Sequence, residues 1–104
     1  MRAIGLVLII FWSSVSIGDE STSPQTIRAI HTGWSGEGFY IATNEKPVLE
    51  GCSLPVFRMD IAHPMMKDVL SIALSAYHSK SRVIMRVSGC TGGYMNLIAI
   101  NVLD

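Results

Sequence analysis

Three features of the sequence together predict an α+β fold: five short segments of alternating apolar and polar residues, one uninterrupted segment of helical period, and the position of that segment after the third strand. The order β-β-β-α-β-β is that of a β-barrel with one helix, specifically a five-stranded antiparallel barrel of the OB type. An open five-stranded sheet with one helix packed on a face has the same order and is the alternative.

The chain has 104 residues, room for a single domain. Residues 1–18 read as a cleaved secretory signal: Arg2, an apolar run over 4–12, then small residues including Ser16 and Gly18. The run is too short for a membrane span, because crossing ~30 Å of hydrocarbon takes about 20 apolar residues. The expectation is therefore a secreted or periplasmic protein whose mature chain has no transmembrane segment. Residues 19–25, with Ser21, Thr22, Ser23 and Pro24, read as a flexible leader ahead of a domain over 26–104.

The first strand is predicted over 26–31, with Ile27 and Ala29 alternating against Arg28 and Ile30. Three glycines among residues 32–38 make a loop. In the second strand, 38–44, Phe39, Ile41 and Thr43 share one face. Residues 44–51, with Pro47 and Gly51, connect to a third strand over 52–59, which Pro55 restricts to an edge or a bulge. The helix is predicted over 63–79, with Pro64 at its first turn. Its polar residues Lys67, Asp68, Ser71, Ser75 and His78 occupy an arc of about 100°, and its apolar residues fill about 200° opposite. A helix lying on one small sheet needs roughly half that apolar width. The excess predicts an intersubunit contact through Met66, Leu70 and Leu74. Strands over 82–88 and 94–103 follow, joined by a turn at 89–93.

Hydrophobic residues make up 49% and charged residues 15%, with eight Lys+Arg against eight Asp+Glu, so disorder is excluded and no clustered charge serves nucleic acid. The two cysteines, Cys52 and Cys90, both lie in the exported part, where thiols oxidise, and they predict a disulfide. Two unpaired buried thiols are the competing reading. His31, His63 and His78 are not at metal-ligand spacing, and neither a metal site nor a cofactor is expected. No serine stands with a positioned base, and Thr91-Gly92-Gly93 precedes a strand, not the helix of a phosphate loop. An enzyme is not expected. What remains is a recognition surface: Trp34 and Tyr40 flank a loop that also carries Ser35 and Glu37, and an aromatic face beside hydroxyls and carboxylates suits a sugar ring. The plainer reading has Tyr40 in the core and Trp34 capping the barrel.

In order and spacing, the chain over about 23–87 resembles the B subunits of pentameric bacterial toxins, in particular the subtilase cytotoxin B subunit-like family with its related small exported proteins. The matching segments are Ile27-Arg28-Ala29-Ile30-His31-Thr32-Gly33, Gly38-Phe39-Tyr40-Ile41, Gly51-Cys52-Ser53-Leu54, Pro64-Met65-Met66-Lys67-Asp68-Val69-Leu70 and Ser81-Arg82-Val83-Ile84-Met85-Arg86-Val87. The resemblance implies an OB-type fold, a homopentameric ring with helices around a pore, an exported A subunit as partner and binding of cell-surface glycans. It also implies that a serine near the start of the first strand, here Ser23, helps bind sialylated sugars. Tyr40 stands where that family has a strand-two cysteine, which leaves Cys52 to pair elsewhere. The functional expectation is an exported, non-enzymatic, glycan-binding module with Ser23, Trp34, Ser35 and Glu37 at its site. The alternative is a periplasmic or secreted accessory or inhibitor that binds another protein.

Overall fold

The computed structural model describes residues 19–103; the expected signal at 1–18 lies outside them. Six strands and one helix follow one another: β1 (Asp19–Ser21), β2 (Gln25–Thr32), β3 (Gly38–Thr43), β4 (Val56–Asp60), α1 (Met66–Ser79), β5 (Arg82–Thr91) and β6 (Tyr94–Val102). The α+β class stands, with one strand more than expected. Strands β2, β3 and β4 form an antiparallel meander, β5 and β6 a hairpin, and β4 pairs in parallel with β6 through Phe57↔Met95 and Arg58↔Asn96. A short antiparallel contact, Gln25↔Val83 and Thr26↔Arg82, links β2 to β5. The sheet thus curls back on itself as a partial ring.

Alternation places the core. Phe39, Ile41, Phe57, Met59, Val83, Met85, Met95 and Leu97 point inward and are buried against Val69, Ala73 and Ala76 of α1. The two alanines let the helix sit close to the sheet, and their spacing from Val69 keeps all three on one face. Alternate strand positions carry Tyr40, Arg58 and Asn96 on the opposite face.

The added strand lies where a flexible leader was expected. Residues 19–25 have no apolar period to betray a strand, because they are held by long-range hydrogen bonds. Asp19, Glu20 and Ser21 pair with Ser88, Val87 and Arg86. The Thr22 amide donates to Met85 O (2.9 Å), and the Met85 amide donates to Thr22 Oγ1 (3.1 Å). Gln25 is buried; its Oε1 accepts from Thr43 Oγ1 (2.8 Å) and its Nε2 donates to Ser23 O (3.1 Å).

Element ends also differ from the sequence reading. The chain from Cys52 to Pro55 is irregular, and β4 starts at Val56, so the proline precedes the strand instead of interrupting it. Residues 63–65 form a turn in which His63 Nδ1 accepts from the Met65 amide (3.0 Å), and α1 begins at Met66. The helix closes at Lys80, which is left-handed (φ 60°), with the Ser81 amide donating to Ala76 O (3.0 Å). Strand β5 continues through Gly89 and Cys90, so that only Gly92 and Gly93 turn. Their φ values of 60° and 89° are both positive, as a two-residue hairpin matching the sheet's twist requires.

Cys52 and Cys90 form a disulfide with 5.5 Å between Cα atoms, tying the chain before β4 to the end of β5. Among the described residues no helix is long and apolar enough to cross a membrane. The disulfide is compatible with a protein outside the cytoplasm.

Candidate functional site

The loop between β2 and β3 is organised by one carboxylate. The Gly33 amide donates to Gly38 O (3.1 Å), which closes the loop, and the Glu37 side chain folds back over it. Glu37 Oε1 accepts from the Ser35 amide (2.8 Å), and Oε2 accepts from the Tyr40 hydroxyl (3.0 Å). The carboxylate occupies the space a side chain at Gly33 would need, which explains a glycine there without any unusual backbone angle. Its own backbone amide and that of Ser35, with the Tyr40 hydroxyl after them, hold the Glu37 carboxyl below its ordinary pKa. Partial burial, with Glu37 as second cause, pushes the Tyr40 hydroxyl up. The loop so fastened presents Trp34 fully exposed, at 100% of its accessible surface. Trp34 therefore caps no core.

Tyr40 does not enter the core either. It lies on the outer sheet face, stacked on His31 (ring centroids 5.3 Å, planes 17° apart) and tilted against Tyr94 (4.8 Å, 53°). Strand register sets His31, Tyr40, Arg58 and Asn96 side by side across four strands. The outcome is a surface of aromatic faces and polar edges beside the Trp34 loop.

Of the four residues expected at a glycan site, Trp34, Ser35 and Glu37 come together and Ser23 does not. Ser23 precedes β2, whereas the loop follows it, and eight residues of strand separate the two by about 25 Å. One monosaccharide cannot reach both. The sequence reading missed His31, Arg58 and Tyr94. No pattern in the sequence assigned them to one face; a register shift between Ile27 and Ala29 turns His31 outward, and strand pairing makes all three neighbours of Tyr40.

The helix residues expected at an oligomer contact divide. Met66 and Leu70 are half-buried against the core, while Leu74 is 41% exposed, together with Ile72 and Tyr77. Beyond Thr26, β2 pairs only with β3, so its other edge is open among the described residues. Between that edge and α1 runs an apolar groove of about 230 Å³ lined by Ile30, Phe39, Ile61, Met66 and Leu70.

Among the described residues, no three His, Cys, Asp or Glu side chains gather as metal ligands would. A cavity of about 360 Å³ is lined by Thr26, Arg28, Asn44, Tyr77, His78 and Lys80. No protein-family model matches the chain, and no curated protein aligns with it significantly.

Proposed function

We propose that the protein is an exported, non-enzymatic OB-type binding module that assembles into a ring and binds cell-surface glycans, in the manner of a toxin B subunit. The observation that carries the binding role is Trp34. A tryptophan held wholly in water gives up the burial that normally stabilises it, and a loop ordered by three hydrogen-bonded groups of its own neighbours keeps it there. An indole face beside Ser35 and Glu37 provides a stacking surface with adjacent hydrogen-bonding groups, the combination a sugar ring needs. Assembly is supported by Leu74, Ile72 and Tyr77, apolar yet exposed on α1, and by the open edge of β2. Single sugar sites of this kind are weak, and a ring gains strength by engaging several at once.

The test joins light scattering of the exported protein to a glycan array carrying sialylated and neutral sugars. The expected result is an oligomer that binds the array and loses binding when Trp34 is changed to alanine. A monomer that binds no glycan overturns the reading and leaves capture of a protein partner by the Trp34 loop as the better one.

A further inference from the structure

We propose that the outer sheet face carries a second sugar subsite, next to the Trp34 loop, that takes the hydroxyl edge of an uncharged pyranose. The proposal rests on the glycan-binding reading and gives it a ligand class. The site is a depression of about 250 Å³ bounded by Arg58, Asp60, His63, Ser88, Thr91 and Asn96. That is smaller than the roughly 300–1,000 Å³ pockets that engulf drug-sized ligands, and it suits one edge of a single ring.

Its chemistry is mixed. Arg58 is half-buried and has no carboxylate within ion-pair distance, the ion pair among the described residues being Arg86–Asp19. Asn96 donates through Nδ2 to Ser88 O (3.3 Å), which fixes the direction of its amide. Its Oδ1 is turned inward, out of reach of water and of any ligand, so the side chain serves as a fixed floor to the depression. Asp60 spends Oδ1 on the Ala62 amide (2.9 Å), leaving its second oxygen for a hydroxyl, while His63 Nδ1 is occupied by the Met65 amide. Ser88 and Thr91 add two hydroxyls that donate or accept. Beside them Tyr94, on the same face of β6 as Asn96, supplies a ring face.

Charge selects the ligand. The positive Arg58 and the negative Asp60 stand two residues apart on one face of β4, and Glu37 lies beyond Tyr40. The depression itself is lined by one guanidinium and one carboxylate, so a carboxylate entering here is attracted by Arg58 and repelled by Asp60. A neutral polyol meets donors and acceptors in balance.

The experiment is an NMR titration of the ¹⁵N-labelled protein with methyl galactoside, methyl mannoside and sialyllactose. The expected result is that a neutral glycoside shifts the amides of Arg58, Thr91 and Asn96. Arg58→Met and Asp60→Asn should each weaken that response about tenfold, the scale of one lost charge-assisted hydrogen bond, with the rest of the spectrum unmoved. Asp60 is exposed, so its replacement tests the site without burdening the core. Shifts confined to residues 33–37 overturn the subsite and leave the glycan reading standing. An Arg58-dependent preference for sialyllactose overturns the uncharged ligand. Absence of shifts anywhere, with all three sugars at millimolar concentration, overturns both.

Discussion

The two ends of β2 are built on opposite plans. At Gln25 the strand is clamped by bonds from far along the chain: Thr43 donates into the buried Gln25 side chain, β5 pairs alongside, and Thr22 and Met85 exchange hydrogen bonds just before it. At Thr32 the strand has an open edge and runs into a loop whose order comes from Glu37, only a few residues away. The difference teaches where stability and recognition are separated. Buried polar groups that lose a partner cost much, so they fasten the closed end. The loop is ordered by local, solvent-facing bonds that can be altered without unfolding the sheet.

The largest effect should come from removing the disulfide, which fastens the chain ahead of β4. Replacing Cys52 and Cys90 together with alanine opens a link spanning 38 residues and should lower stability by about 4 kcal/mol in chemical denaturation. Next is the clamp itself. Gln25→Ala strands the Thr43 hydroxyl in the core and should cost about 2 kcal/mol by the same measurement, whereas Trp34→Ala should leave the denaturation midpoint where it was. Equal losses from the two would erase the distinction between the ends. On the helix, Leu74→Glu should leave the fold intact, since Leu74 is largely exposed, while lowering the mass seen by light scattering. An unchanged mass with an intact fold would remove α1 from the subunit contact.

The smallest effect concerns the loop alone. The Glu37 carboxyl is held below its ordinary value of 4.5, so its folded form favours the anion. The ordering it contributes is therefore present above about 4.5 and is lost as pH falls through the lower folded-state value. Trp34 is the only tryptophan after residue 18, and its fluorescence anisotropy should stay level from neutral pH down to that region and then drop. Glu37→Gln should show low anisotropy at every pH.

The closed and open ends were not equally legible in the sequence. Alternation revealed the inward faces of β3 and β5, and an unbroken helical period revealed α1, because burying one face imposes those patterns. The cysteine pair was legible from there being two cysteines, both in the part of the chain expected to be exported. The clamp was not: polar Asp19–Ser21 pairs through backbone groups that no side-chain pattern records, and nothing local marks Gln25 as buried. Trp34, Ser35 and Glu37 were found together because they share one short loop. Ser23 was joined to them on the resemblance alone, and the length of β2 lies between it and the loop. Arg58 and Asn96 meet only through a parallel pairing of β4 with β6, a register that depends on the whole sheet. The breadth of apolar residues on α1 was legible from its period, and Ile72, Leu74 and Tyr77 among them are exposed. Their division between half-buried Met66 and Leu70 and exposed Leu74 depends on how the helix is rolled against the sheet.

Three methionines, Met59, Met85 and Met95, sit at the centre with no exposed surface, while Met65 is 47% exposed ahead of α1. Thioethers react with peroxide where it can reach them. Met65 should thus be oxidised promptly, and the central three only as often as the whole core opens. Mass spectrometry of peptides after timed peroxide exposure would turn these residues into an internal clock for global opening. A sulfoxide at Met85 forming as fast as one at Met65 would mean a core that breathes far more than its packing implies.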